Sequence, residues 1–330
     1  MKISVLVKGN LRQTVFSEKY FNRLAQLGEL NIYDKDDFED MDYVYEFLKG
    51  SNAIITSWAS PAITKEVLDV CPDLKIVLHA AGSVKPVVTD EFVAKNIPIT
   101  GSACAIGEGV AETALGFAIS ACKNFYQLSK RTKQGLWKEN QEVLVKDFYD
   151  IKVGVISAGY VGRHMIKLLQ NFHVDVLVYD PFITKEQALE IGATKVELDE
   201  LMSQADVVSI HAPSIPATDN MINKDNLKLL KDGGIIINTA RGSIINEQDL
   251  ITELTKRRIY ACIDVTNPEP PAANNELRFL DNVVLTPHIA GTSTNGLRRI
   301  ALHVCEELER FTKGEKLKAE VNLANLSNIA

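Results

Sequence analysis

Short aliphatic and β-branched runs alternate with amphipathic stretches along most of the chain. The first set of runs reads as strands at Ile3–Val7, Ala53–Thr56, Lys75–His79 and Ile97–Thr100. A second set lies at Ile151–Ile156, Val174–Tyr179, Val207–His211, Ile235–Asn238, Ala261–Val265 and Val283–Thr286. Nearly continuous Val, Ile and Leu is the pattern of strands buried on both faces of a parallel sheet. Alternation with helical segments predicts an α/β fold of doubly wound parallel sheets. Two long helices stand out. One runs from about Glu108 to Asn124, apolar nearly all round, and is expected to be buried. The other runs from about Thr294 to Thr312, with Leu297, Ile300, Ala301, Val304, Leu308 and Phe311 at helical spacing and Gly314 placed to stop it. The polar stretch from Tyr126 to Asp150 reads as a surface connection.

One strand–helix junction carries chemistry. Val153-Gly154-Val155-Ile156-Ser157-Ala158-Gly159-Tyr160-Val161-Gly162 follows a strand and opens a helix. A second strand ends about 20 residues later in Asp180. This is the βαβ setting that a dinucleotide fingerprint requires. Gly159 lets the backbone approach a pyrophosphate, and Gly162 lets helix and strand pack closely. The helix N-terminal amides meet the phosphate charge. Asp180 accepts from the adenine-ribose hydroxyls and repels a 2′-phosphate, which favours NAD over NADP. One position departs: the first glycine of GxGxxG is Ser157, and serine tolerates a tight turn less well than glycine.

Four later strands run into unusual polar residues: His211-Ala212-Pro213, Asn238-Thr239-Ala240-Arg241-Gly242, Asp264 with Glu269 beyond it, and Thr286-Pro287-His288. A parallel sheet brings all of them to the edge that carries Gly159 and Asp180, the edge where open α/β sheets bind ligands. A cation, a carboxylate and an imidazole beside a nicotinamide are the parts that carbonyl reduction needs. Arginine stabilises the negative charge that hydride delivery builds on oxygen. Imidazole supplies the proton near neutral pH. The nicotinamide carries the hydride, so no metal is required.

Composition narrows the field further. With 36 basic and 43 acidic side chains among 330 residues, the formal net charge is −7. That balance offers no electrostatic footprint for nucleic acid or an anionic membrane. The length suggests about two domains. Cys71, Cys104, Cys122, Cys262 and Cys305 are odd in number and never form CxxC, which points to a reducing compartment rather than disulfides or structural zinc. The opening run from Met1 to Val7 is too short for a signal peptide, and the stretch from Gly109 to Cys122 too short to span a bilayer. These readings together favour a cytoplasmic protein.

The chain resembles the D-isomer-specific 2-hydroxyacid dehydrogenase family. The matching segments are VGVISAGYVG at 153–162 with YDP at 179–181, HAPSIPAT at 211–218, INTARGSIINE at 237–247, DVTNPEPP at 264–271 and TPHIAGTS at 286–293. PDLKIVLHAAGSV at 72–84 and VAET at 110–113 extend the match into the N-terminal half. The resemblance implies an NAD-dependent reductase of a small 2-oxoacid, with Arg241, Glu269 and His288 as the catalytic group. Arg241 binds the substrate carboxylate and carbonyl oxygen, His288 is the general acid/base, and Glu269 orients His288. Tyr160 and Val161 give amides to the pyrophosphate. Pro213, Thr218, Thr239, Ala240, Asp264 and Gly291 line the cofactor cleft, with Asp264 on the nicotinamide side. Gly82 and Ser83 match the loop whose amides hold the substrate carboxylate.

The family's architecture implies a Rossmann NAD-binding domain at 104–291 inserted into a flavodoxin-like substrate domain, 1–103 plus 292–330, and a homodimer formed through the nucleotide domain. Relatives acting on phosphorylated acids tend to carry a basic residue in the early loop. Here that loop holds Trp58, which argues for an unphosphorylated substrate against an apolar wall. The alternatives are a phosphoglycerate dehydrogenase and an NAD-responsive binding protein on the same scaffold. Activity confined to 3-phosphoglycerate marks the first, and NADH-dependent partner binding without turnover marks the second.

Overall fold

The computed structural model describes residues 1–137, 145–292 and 294–328. The chain forms two compact units, Met1–Ile106 with Gly291–Ala330, and Gly107–Ala290. The chain passes between them at 106/107 and 290/291, where the sequence suggested 103/104 and 291/292. Ile106 packs into a core of the first unit, which carries that unit past the expected boundary.

The first unit holds strands β1 (Lys2–Leu6), β2 (Glu29–Ile32), β3 (Ala53–Thr56), β4 (Ile76–His79) and β5 (Ile99–Gly101). They pair in parallel in the order β2-β1-β3-β4-β5, the flavodoxin-like 2-1-3-4-5. The two-residue period of a strand feeds two cores. Ile3, Val5, Ile55 and Leu78 face one side with Ile300, Val304 and Leu308 of the helix Arg298–Thr312. Leu6, Ile54 and Val77 face the other with Val44, Leu48, Val67 and Phe92.

The second unit holds β6 (Ile151–Ile156), β7 (Val174–Tyr179), β8 (Thr194–Lys195), β9 (Val207–Ile210), β10 (Ile235–Asn238), β11 (Tyr260–Ile263) and β12 (Val283–Leu285). All are parallel, in the order β12-β11-β10-β9-β6-β7-β8. Counted from β6 this is the Rossmann order 3-2-1-4-5-6 with one strand added, and its switch point lies between β6 and β9. The expected α/β class and both sheet types are therefore present.

Three local expectations need correction. The strands β2 and β8 carry no aliphatic run; both are edge strands, β2 with no buried residue and β8 only two residues long. The long apolar helix spans Ala103–Cys122 and buries one stripe, Gly107, Val110, Ala111, Ala114, Phe117, Ala118 and Cys122, rather than its whole circumference. At 20 residues it is long and apolar enough to cross a membrane by length and composition alone. Its stripe instead packs into the core of the second unit, with Met165, Ile166 and Val178. Part of the expected surface connection is helical, Phe125–Lys133, with no buried residue. The rest of that stretch includes 138–144, outside the described residues.

Candidate active site

The turn after β6 is built as the fingerprint requires. Ser157 has φ +78°, the left-handed region that the first glycine of the motif serves. Gly159 caps the helix Tyr160–Leu169 from an extended conformation, and no heavy atom outside its immediate chain neighbours lies closer than 3.9 Å to where its Cβ would stand. The face over Gly159 is therefore open to a ligand. Gly162 is obligatory, since a Cβ there would lie 1.9 Å from the Ser157 carbonyl oxygen. Tyr160 and Val161 occupy the first turn of that helix, next to Gly159.

Asp180 is buried against this turn. Its Oδ2 accepts from the Ala158 N–H at 2.7 Å and lies 3.4 Å from the Ser157 hydroxyl, while Oδ1 accepts from the Phe182 N–H at 2.8 Å. A carboxylate has about four lone-pair sites, so capacity for ribose hydroxyls is left.

Two buried polar atoms at the carboxyl ends of neighbouring strands lack partners: His211 Nδ1 after β9 and Thr239 Oγ1 after β10. His211 Nε2 pairs with Ser209 Oγ at 2.9 Å, and burial pushes the imidazole down to about 3, which keeps it neutral. Unsatisfied buried polar atoms are costly and call for an explanation. Here they lie along the edge where this fold binds dinucleotides, and that fits NAD. Thr218 ties this edge together, donating to the Pro213 carbonyl at 2.5 Å and accepting from the Ile215 N–H at 3.0 Å.

The proposed catalytic side chains come from the loops after β10, β11 and β12. His288 Nδ1 lies 2.8 Å from Glu269 Oε2, with both side chains partly exposed. The second Glu269 oxygen accepts from the Thr266 N–H at 3.1 Å, so the carboxylate is fixed by its own turn. Arg241 projects from the loop after β10, exposed, with Nη1 donating to the Ala240 carbonyl at 2.6 Å. Gly242 allows this loop to touch the Glu269 turn: a Cβ there would lie 2.1 Å from Thr266 C and 2.6 Å from Asn267 N. Asp264, 1% exposed, accepts from Thr286 Oγ1 at 2.5 Å, from the Ile289 N–H at 3.0 Å and from the Ala290 N–H at 2.9 Å. These bonds anchor the loop that carries His288, whose own N–H reaches the Asp264 carbonyl at 2.9 Å.

Named contacts thus join His288 with Glu269, and the Arg241 loop with the Glu269 turn. Trp58, Gly82 and Ser83 belong to the first unit, where Trp58 packs on the core of Ile3, Val5 and Leu297. Gly291 opens that unit's second segment. Sequence reasoning gave Asn238 no role. Its Oδ1 accepts from the Ala240 N–H at 3.0 Å and its Nδ2 donates to the Arg241 carbonyl at 2.9 Å, which sets the Arg241 turn. An amide side chain two residues ahead of a turn is the signal that marks such a role.

Residues 115–290 match the family model described as D-isomer specific 2-hydroxyacid dehydrogenase, NAD binding domain. The chain is 30% identical over 309 residues to a hydroxypyruvate reductase of Blautia hydrogenotrophica, covering 92% of this chain and 94% of that one. It is 30% identical over 265 residues to a D-3-phosphoglycerate dehydrogenase of Archaeoglobus fulgidus, covering 80% of this chain and 50% of that relative's length. Among solved structures, a D-isomer specific 2-hydroxyacid dehydrogenase from Lactobacillus delbrueckii ssp. bulgaricus in its NAD complexed form superposes with a TM-score of 0.81 at 21% identity, covering 98% of this chain and all of that one. A cofactor turn, an imidazole–carboxylate pair and a matching family model therefore agree: the chain belongs to the D-isomer-specific 2-hydroxyacid dehydrogenases, NAD-dependent oxidoreductases acting on CH–OH donors.

Proposed function

We propose that the protein reduces a small, unphosphorylated 2-oxoacid to the D-2-hydroxyacid, with NADH oxidised to NAD. The observation that carries this reading is the His288–Glu269 pair at 2.8 Å, in the same unit as the Ser157–Gly162 turn. When bound, the cofactor supplies the hydride to C2. Glu269 takes Nδ1, so His288 delivers the proton to the developing alkoxide from Nε2, and takes it back in oxidation. Arg241 binds the carboxylate and stabilises charge on the carbonyl oxygen. The Gly82–Ser83 loop is proposed to offer amides to a substrate carboxylate. Tyr160, Val161, Asp180, Pro213, Thr218, Thr239, Ala240 and Asp264 hold the cofactor. Hydroxypyruvate and glyoxylate, named for relatives, head the list of substrates to try. Trp58 favours them over phosphorylated acids.

The test is an NADH oxidation screen over pyruvate, glyoxylate, hydroxypyruvate, larger 2-oxoacids and 3-phosphohydroxypyruvate. Turnover of an unphosphorylated acid supports the reading. Turnover of the phosphorylated acid alone replaces it with a phosphoglycerate dehydrogenase. No turnover at all removes it.

We also infer a homodimer formed through the second unit and a cytoplasmic location. Phe125, Tyr126, Trp137 and Phe279 of that unit are exposed, and Tyr126 and Phe279 line a cavity of about 780 Å³. Apolar exposure of this kind is typical of an interface. Light scattering reads the mass directly, and a monomer at micromolar concentration overturns the inference. Four of the five free cysteines are buried, which suits a reducing compartment.

A further inference from the structure

The second unit carries a cavity that the reaction above does not use. It measures about 780 Å³ and lies at the amino ends of β11 and β12, where Tyr260 and Val283 begin those strands. The loops proposed for catalysis leave the carboxyl ends of the same sheet. At about 3.3 Å per residue these short strands span about 10–13 Å, and that length separates the cavity from those loops.

One wall is the helix Phe125–Lys133, which buries no residue. Polar bonds hold it on the turn before β12. Gln127 Nε2 donates to the Asp281 carbonyl at 3.0 Å, and the Lys130 ammonium donates to the Asp281 carboxylate at 2.6 Å.

Charge sets this cavity apart. Lys130, Arg131, Arg257 and Arg278 line it, and Asp281 is the one acidic side chain among the described residues around it. Four cations against one anion leave a formal +3, in a chain whose net charge is −7. Lys130 and Asp281 offset each other. Arg278 directs Nε and Nη2 to neutral acceptors, the Ala272 and Pro271 carbonyls, at 3.0 and 2.7 Å. Those bonds orient the guanidinium and leave its charge in place. Arg257 is exposed, just past the helix Glu247–Thr255. Ligand pockets of about 300–1,000 Å³ are mostly apolar, so a cavity of this size that gathers charge is built for a different ligand. Like charges lining one concavity focus their field and attract a counter-ion. Guanidinium groups match phosphate and carboxylate oxygens through paired hydrogen bonds.

We propose that this cavity binds a small polyanion, a phosphate- or carboxylate-bearing molecule with two or more negative charges. The proposal goes beyond the oxoacid reading and depends on neither turnover nor the homodimer.

Calorimetric titration of the whole chain with tripolyphosphate, and separately with citrate, tests it. The double variant Lys130→Gln/Arg257→Gln removes two cations and keeps an amide donor for Asp281. Lys185→Gln is the control for charge alone, exposed on the helix Lys185–Glu190 beside β8 at the opposite edge of the sheet. Tripolyphosphate should bind the double variant at least about tenfold more weakly than the parent, the loss of more than one charged hydrogen bond. It should bind the control within about twofold of the parent, as isolated surface charges contribute little. The Kd of NADH, read by fluorescence, should stay within about twofold in all three, which separates the cavity from the pyrophosphate turn. Citrate bound as tightly as tripolyphosphate assigns the cavity to polyanions at large, and tripolyphosphate bound alone assigns it to phosphates. No binding of either anion at low-millimolar concentration, equal affinity in parent and double variant, or an equal loss in the control overturns the proposal. Should the double variant fail to fold, Arg257→Gln alone takes its place at an exposed position, and a weakening of at least about threefold is required. None of these results bears on the proposed function, which the oxoacid screen decides.

Discussion

The carboxyl edges of the two sheets are built from similar residue types and treat them in opposite ways. At the edge of the first sheet, Thr56, Ser57, His79 and Ser102 are buried, and each finds a partner within the fold. At the edge of the second, Arg241, Glu269 and His288 are exposed, and His211 Nδ1 and Thr239 Oγ1 are buried without partners. A satisfied polar network rigidifies what it holds. An exposed imidazole–carboxylate pair is accessible to whatever enters. The first edge is thus internally satisfied and rigid, and the second is left open to a ligand. The two histidines His79 and His288 carry that contrast, one buried on Thr56 and the other exposed beside Glu269 as the proposed acid/base.

The largest effect that separates the two edges is expected at His288. Replacement by alanine should lower kcat by roughly 10²–10⁴ with little change in thermal stability. A kcat within threefold of the parent would remove His288 from the mechanism and leave the second edge without an acid.

Next in size is Gly242→Ala. The added methyl meets backbone atoms of Thr266 and Asn267, which cannot move aside as a side-chain tip can. Forced overpacking typically costs about 1–3 kcal/mol, and here it also drives the Arg241 loop from the Glu269 turn. Urea unfolding and kcat/KM should both fall. An unaffected kcat/KM would show that the two loops need not touch.

A third expectation is a pH dependence carried by the buried histidines. Unfolded imidazoles take protons as pH falls through about 6.5, whereas folded His79 waits until about 4 and His211 until about 3. Between those values the unfolded chain binds more protons, so stability falls as pH drops from about 6.5 toward 4 and is level above 6.5. Each contributes roughly 1 kcal/mol per pH unit. Melting temperatures from pH 4 to 8 should show this acid limb, and His79→Gln should make it shallower. A limb as steep as the parent's would mean that His79 titrates as an ordinary surface imidazole.

The smallest effect is expected at Ser157. Serine at φ +78° is strained where glycine is not, so Ser157→Gly should stabilise by up to about 1 kcal/mol. The variant also loses the hydroxyl 3.4 Å from Asp180. A lower melting temperature would show that this hydroxyl outweighs the backbone strain.

Much of this arrangement is legible in the chain. Six of the ten strand expectations overlap the observed spans with shifts at one or both ends, and the other four, at β3, β6, β7 and β10, coincide with them. Buried strands are the most apolar, and that is why pattern finds them and misses the edge strands β2 and β8. The helix Ala103–Cys122 misleads in the other direction, because small residues such as Gly and Ala look apolar on every side while only one stripe is packed.

The residues themselves determined the α/β class, the Gly159–Gly162 turn with its terminal Asp180, and the placement of Arg241, Glu269 and His288 at strand ends. These depend on local periodicity and on spacing along one chain. Only the tertiary structure decided that Glu269 reaches His288, that Gly242 lets two loops meet, that Asp264 anchors the His288 loop, and that His79 is buried on Thr56. Each of those depends on atoms distant in sequence converging within hydrogen-bond range, and on the burial that convergence produces. Neither distance nor burial is a property of any short stretch of chain.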